Sequence, residues 1–265
     1  MANVAGAVPF YRSVLRTLKQ RDVPFLVGGA FAMARYTQID RPTKDLDLMV
    51  RRESWPDVAR ALRGAGIYTR LSFPHWLGKA IAGPAQVDII FSSGNAVASV
   101  DDVWFARSVP ARVLGYDVGL APPEELVWSK SFVMERERFD GADVLHLILR
   151  AGRTLDWGHL CDRFAGHERV LLAHLHLFSY AYPNETAIVP RGVVKRLTAA
   201  PNRRGIAGMR LCRGTILSRE QYLVDVRDWG YRDARLAPLG NLSPGDVGRW
   251  TRAIHAHWSK AGRRR

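Results

Sequence analysis

The sequence predicts an α+β protein, with a small mixed β-sheet and flanking helices first and a mainly helical region after it. Three features predict this. Between residues 25 and 120, short apolar runs rich in β-branched side chains recur, bounded by glycine, proline or small polar residues. After residue 121 the apolar residues mostly fall at helical spacing. The two styles meet at Ala121-Pro122-Pro123, which divides the chain into residues 1–120 and 121–265.

The elements follow in order. Val8, Tyr11, Val14, Leu15 and Leu18 make one face of a helix that runs to Gln20. Phe25-Leu26-Val27 reads as a buried strand ended by Gly28-Gly29, and Ala30 to Arg35 as a short helix. Arg41-Pro42-Thr43 breaks that helix. Lys44 to Arg51 begins with strict alternation and reads as a strand. Ser54 is placed to cap a helix that carries Pro56 in its first turn and ends near Arg63. Strands are expected at Ile67–Phe73, Lys79–Ile81 and Gln86–Phe91, with an edge strand at Val113–Leu120. Pro123, followed by Glu124 and Glu125, starts a helix with acids in its first turn. Helices are expected over 123–137, 140–151, 156–165, 167–181, Ser218–Trp229 and Pro244–Ala261. Residues 184–215, rich in Gly, Pro and Arg, are expected to be partly mobile, and the Arg263-Arg264-Arg265 tail is expected to be disordered.

Composition narrows the function classes. The chain has 265 residues, and 47% hydrophobic content argues against a disordered protein. Lys and Arg number 39 against 25 Asp and Glu, a net charge of +14 that favours polyanionic partners. The imbalance peaks between Glu185 and Glu220, where there is no acid but there are Arg191, Lys195, Arg196, Arg203, Arg204, Arg210, Arg213 and Arg219. Cys161 and Cys212 are too few and too far apart for a zinc site, and they read as reduced thiols. No apolar stretch approaches the ~20 residues of a membrane helix, and the N-terminus lacks an export signal. The expectation is a cytoplasmic protein with no membrane partner.

Three carboxylates carry the chemistry. Asp45 and Asp47 alternate with Leu46 and Leu48, so both acids point to one face of their strand. Their repulsion is tolerable where a divalent cation sits between them. Asp88 stands alone in the apolar run Gln86-Val87-Asp88-Ile89-Ile90-Phe91, where an unpartnered carboxylate is costly. Side by side, these strands would present the ligand set for two Mg²⁺ ions ~3.5–4 Å apart, with Mn²⁺ as a substitute, as in-line phosphoryl transfer uses. Gly28 and Gly29, before a helix N-terminus, would let a phosphate approach backbone N–H groups. Arg41, Thr43 and Lys44 sit just ahead of the acid pair as further phosphate contacts.

In this order the chain resembles the nucleotidyltransferases of the DNA polymerase beta superfamily. The motifs are Val27-Gly28-Gly29, a short helix, Asp45-Leu46-Asp47, and Asp88 on a later strand, over about residues 10–92. The resemblance implies a nucleotidyltransferase core in which Asp45 and Asp47 bind both metals. It implies that Asp88 binds the catalytic metal and helps deprotonate the attacking hydroxyl. A second stretch, Lys130 through Arg138 and Asp140 to Asp143, is similar to a segment of the abortive-infection type toxin nucleotidyltransferases. On one helix Lys130 and Arg138 would share a side, and both are expected to contact the nucleotide. The bland alternative is a solvated helix of Glu–Arg pairs.

The expected activity is Mg-dependent transfer of a nucleoside monophosphate from a nucleoside triphosphate such as ATP to a hydroxyl. An RNA or tRNA end suits the basic helical part, and the toxin likeness implies a cognate antitoxin as partner. Open alternatives are a protein or small-molecule acceptor, and a non-catalytic module that binds nucleic acid or a partner. The histidines on helices read as packing or surface residues. Tyr222, Trp229 and Tyr231, near the basic stretch, read as core before base-stacking residues.

Overall fold

A computed structural model of the chain describes residues 4–41, 43, 45–201 and 208–261, with backbone alone for 4, 5 and 254–261. Lys44, Arg203, Arg204 and the Arg263–Arg265 tail lie outside the described residues. The first part runs α1 (Val4–Gln20), β1 (Leu26–Val27), α2 (Gly29–Thr37), β2 (Asp45–Met49), α3 (Trp55–Gly64), β3 (Tyr68–Phe73), β4 (Leu77–Ala82), β5 (Ala85–Ile90), α4 (Asp102–Ala106), β6 (Val109–Val113) and β7 (Tyr116–Leu120). Then come α5 (Pro123–Lys130), α6 (Gly141–Ala151), α7 (Trp157–Arg163), α8 (Glu168–Ala181) and α9 (Arg191–Ala199). The chain closes with β8 (Leu211–Cys212), α10 (Gly214–Leu217), α11 (Leu223–Arg227), β9 (Arg232–Asp233) and α12 (Pro244–Ala261). The fold is α+β, as the sequence predicts: a seven-stranded mixed sheet with flanking helices, followed by a mainly helical region.

The sheet order is β3-β4-β5-β2-β1-β7-β6. β2 and β5 pair in parallel at its centre, β1 joins β2 antiparallel and β7 in parallel, and the remaining pairs are antiparallel. Alternation fixes what each face does. Leu46, Leu48, Val87 and Ile89 point to one face and are fully buried beneath α1 and α3, against Tyr11, Leu15, Val58 and Leu62. Each such side chain stabilises the fold by roughly 1.5–3 kcal/mol. Trp55 covers Gly78 so closely that a Cβ there would lie 2.2 Å from its ring. The residues between them, Asp45, Asp47, Gln86 and Asp88, must therefore point to the other face.

The helical part is tied to the sheet part by charge and by packing. Glu125 is fully buried, where it accepts hydrogen bonds from His159 Nε2 (2.7 Å) and Arg163 Nε (3.0 Å). Arg163 also grips Asp101 with both terminal nitrogens, at 2.6 and 2.8 Å, and lies over the Trp128 ring. At the other end Trp250 of α12 packs against His75 and Gly94. Asn95 and Asn241 stitch the same seam by donating to the carbonyls of Ile216 and Ala96.

Several expectations are corrected. Residues 109–120 form a hairpin whose second strand, β7, is internal and not an edge. Ser54 ends a 3₁₀ turn and does not cap α3 through its hydroxyl. The helix expected over 123–137 stops at Lys130, because Phe132 turns into the core and stacks on Phe164. The chain then doubles back, with Glu135 N–H donating to Arg138 O and Asp140 N–H to Val133 O. The helix expected at Ser218–Trp229 shortens to α11, while 184–215 holds α9. Trp229 is exposed and not part of the core. Among the described residues no helix is long and apolar enough to cross a membrane.

The seam at Trp250 yields a prediction. Trp250→Ala should lower unfolding free energy by about 3 kcal/mol, as expected for truncating a buried Trp, when read by denaturant titration. Gly94→Val, whose Cβ would lie 2.6 Å from the Trp250 ring, should also destabilise, and a neutral result would show that this seam does not hold the two parts together.

Candidate active site

Register brings the acids together. Asp47 and Asp88 are partners across the parallel β2–β5 pair, and Asp45 lies one row away, opposite Gln86. The row continues outward on the same face, from Asp88 to Lys79 on β4 and then to Arg70 on β3. Two cations and two anions thus line up across four strands. The Lys79–Asp88 pairing follows from the two-residue Gly83-Pro84 turn, which sets Ala82 opposite Ala85 and so Lys79 opposite Asp88.

Each acid has a different environment. Lys79 Nζ donates to Asp88 Oδ1 at 2.7 Å, and both side chains are largely buried. Burial pushes the Asp88 carboxyl up, and Lys79 opposes that shift. Asp45 accepts from the Thr43 hydroxyl at 3.2 Å and from Gln86 Nε2 at 3.5 Å. Asp47 is pushed up to about 7 by burial, then by the charges of Asp45 and Asp88. Lys130 and Arg138 pull it back only in part. Tyr11, buried on α1, lies close enough that burial and then all three carboxylates raise its phenol.

The Gly-Gly turn is shaped by Asp47. Gly28 N–H donates to the Asp47 carbonyl at 2.9 Å, so that amide is spent on the sheet and does not face a phosphate. Gly29 has φ of +51°, and a Cβ there would lie 1.7 Å from Asp47 Oδ2. Only glycine lets α2 begin against this carboxylate. The backbone amides of the first turn of α2, which no helical carbonyl reaches, are the groups left for an anion.

Lys130 and Arg138 do not share a helix, yet they converge. Lys130 Nζ donates to Asp140 Oδ2 and Asp143 Oδ2, both at 2.8 Å. Arg138 holds Asp140 with two hydrogen bonds, at 2.8 and 2.7 Å. Arg41 pairs with Asp143 at 2.5 Å, which links the loop before β2 to α6. Burial pushes Asp140 up, but Arg138 and Lys130 outweigh it and hold the carboxyl low. The Glu–Arg pairs of the bland helical reading do not form, since Glu135 instead pairs with Arg219. Of the residues expected from sequence, the structure places Asp45, Asp47, Asp88, Gly28, Gly29 and Thr43 around one patch. Arg41, Lys130 and Arg138 form an ion-pair network beside it, and Lys44 lies outside the described residues.

The donor chemistry suits a hard divalent cation, because carboxylate oxygens are its usual ligands. The charge balance also fits, since burial and the charges of Asp45 and Asp88 outweigh Lys130 and Arg138 at Asp47. Yet among the described residues no three acids stand ready-arranged around one point. Asp88 is engaged by Lys79, and Asp45 by Thr43 and Gln86. Sequence reasoning missed Lys79, although a single cation in the run Gly78-Lys79-Ala80-Ile81, a hairpin turn away from Asp88, was the available signal. Two cavities, of about 740 and 370 Å³, lie in the helical part and are not lined by these acids.

Two predictions follow from Asp47 and its turn. Gly29→Ala should remove nucleotide binding and destabilise the protein, and retained binding would show that the contact with Asp47 is not needed. A carboxyl raised in the folded state adds stability below its unfolded value of about 4, and that stability is lost as pH rises toward 7. In EDTA, Asp47→Asn should therefore gain on wild type between pH 4 and 7, by about 2 kcal/mol after allowing for partial solvent access. A difference in stability that does not change across this window would contradict the environment described for Asp47.

Comparison with known proteins finds one family match and several structural neighbours. Residues 11–78 match the family model described as aminoglycoside-2''-adenylyltransferase, a span that includes the Gly-Gly turn and the Asp45–Asp47 strand. No curated protein matches. Among solved structures, the antibiotic-resistance factor ANT(2'')-Ia in solution is 15% identical, with 65% of this chain and 98% of that chain covered and a TM-score of 0.45. An antigenic nucleotidyltransferase-like protein from Paracoccidioides brasiliensis is 14% identical, covers 72% of this chain and 97% of its own, and has a TM-score of 0.46. JHP933 from Helicobacter pylori is 12% identical, with 75% and 94% covered and a TM-score of 0.39. The motif and the family match over residues 11–78 make this part of the chain similar to the nucleotidyltransferases.

Proposed function

We propose that this protein is a Mg²⁺-dependent enzyme that transfers a nucleoside monophosphate from a nucleoside triphosphate to a hydroxyl at an RNA end. The observation that carries the reading is the in-register pair Asp47 and Asp88, with Asp45 beside them and the Gly-Gly turn against Asp47. Asp45, Asp47 and Asp88 would hold two Mg²⁺ ions, or Mn²⁺, which when bound offset charge on the reacting phosphate and the departing pyrophosphate. Asp88 accepts the proton of the attacking hydroxyl. The first-turn amides of α2 and the Thr43 hydroxyl orient the triphosphate. Arg41, Lys130, Arg138 and Lys44 contribute positive charge toward it, with Asp140 and Asp143 fixing the direction of Lys130.

The acceptor is argued from charge. Arg191 and Lys195 are exposed on α9, and Arg210 lies over the Tyr231 ring, a pairing suited to a nucleic-acid surface. Not every base in the acid-free stretch is available, since Arg196 pairs with Asp162 and Arg219 with Glu135. The +14 net charge favours a polyanion over a polycation. The match to aminoglycoside-2''-adenylyltransferases favours a second reading, a small-molecule acceptor such as an aminoglycoside, though it spans the nucleotide side of the site alone. The likeness around Lys130 also supports a toxin role with a cognate antitoxin, to be tested by growth arrest that requires Asp45.

The deciding experiment supplies labelled nucleoside triphosphates and Mg²⁺ with total RNA, tRNA, aminoglycosides or protein. The expected result is label on RNA, abolished in Asp45→Ala/Asp47→Ala, with a drop of at least ~10³-fold, the scale of losing electrostatic stabilisation of the transition state. Label on an aminoglycoside alone would keep the chemistry and replace the acceptor. No transfer to anything, with RNA binding unchanged in the double variant, would leave a non-catalytic binding module.

A further inference from the structure

Lys79 is the one ion-pair partner of Asp88 among the described residues. Its ammonium sits 2.7 Å from Asp88 Oδ1, on the β4 side of that carboxylate, while Asp47 faces Asp88 from β2. The strand geometry leaves little choice. Lys79 and Asp88 are cross-strand partners on one face, Arg70 stands behind Lys79 in the same row, and both Lys79 and Asp88 are largely shielded from water. An ammonium paired with Asp88 repels a divalent ion approaching that carboxylate and supplies a charge the ion would otherwise supply. Asp45 is likewise engaged, by Thr43 and Gln86.

We propose that Lys79 is a positioning residue that neutralises Asp88 in the nucleotide-free protein, so that divalent ions bind tightly only together with a nucleoside triphosphate. This rests on the metal-dependent reading given above. The triphosphate brings its own negative charge, which raises the attraction for an ion and gives the displaced ammonium an anionic partner. No covalent step is involved. The chain's device is an exchange: Lys79 leaves Asp88 for phosphate oxygen as the ion arrives. A Lys79 that only holds the fold would, when removed, loosen the site and weaken Mn²⁺ binding both with and without nucleotide, whereas a charge competing at Asp88 is felt chiefly without it.

The test measures Mn²⁺ binding to the full chain by the electron paramagnetic resonance of free Mn²⁺, with and without a non-hydrolysable nucleoside triphosphate. Lys79→Met should bind Mn²⁺ without nucleotide at least roughly tenfold more tightly than wild type, as expected from removing a like charge a few ångströms away. Lys79→Arg should behave as wild type, and Asp88→Asn added to Lys79→Met should abolish the gain. Should Lys79→Met fail to fold, Lys79→Gln keeps a donor beside Asp88 without the charge and is expected to show the same gain. Equal or weaker Mn²⁺ binding in the folded variant, while wild type binds Mn²⁺ with nucleotide, would overturn the role of Lys79 alone. Absence of Mn²⁺ binding in every protein, with nucleotide present, would overturn the metal reading and this role with it.

Discussion

Asp47 and Asp88 stand at partner positions on neighbouring parallel strands, and the repulsion between them organises what surrounds them. Burial raises the proton affinity of both, and the charges of Asp45 and Asp88 add to the effect at Asp47. The fold meets the cost in several places. Lys79 neutralises Asp88 from the next strand, while Lys130 at the end of α5 and Arg138 in the turn after it partly offset Asp47. The Asp47 backbone is fixed by Gly28, and Gly29 clears the space its carboxylate fills. The opposite face of the same strands, Leu46, Leu48, Val87 and Ile89, provides the burial that holds the acids in register.

That division of labour explains why the site was legible in the sequence. Alternation of Asp45-Leu46-Asp47-Leu48 states which side chains share a face, and Val87 and Ile89 on either side of Asp88 state the same for β5. The Gly-Gly turn was legible as a turn, but its role differs from the expected one, because the Gly28 amide is consumed by Asp47. Lys79 was not found because its meaning depends on hairpin register, which a short strand with small residues does not announce. Lys130 and Arg138 were placed near each other for the wrong reason. Helical spacing predicts their convergence, whereas the chain achieves it by a turn at 131–140 that Phe132 anchors in the core.

The helical part presents a different problem. Its amphipathic patterns gave α6 and α8 closely, because each buries a continuous apolar stripe. Between residues 184 and 215 tertiary packing decides the structure, and α9 forms where Val193 and Leu197 find the core. Its positive charge is partly committed to internal pairs such as Arg196–Asp162 and the buried Arg235–Asp233. Charge counted along a sequence therefore overstates the charge offered to a partner. The acceptor must be read from the bases that remain exposed, and the carboxylates do not specify it.

The central claim is that Asp45, Asp47 and Asp88 form one cation-binding centre once a nucleotide is present. Anomalous diffraction from crystals grown with Mn²⁺ and a non-hydrolysable nucleoside triphosphate tests it most directly. The account expects anomalous peaks bounded by oxygens of these three residues and of the triphosphate, with Lys79 withdrawn from Asp88. Nucleotide bound in the site with no peak there, or with the ion held by other side chains, would contradict it.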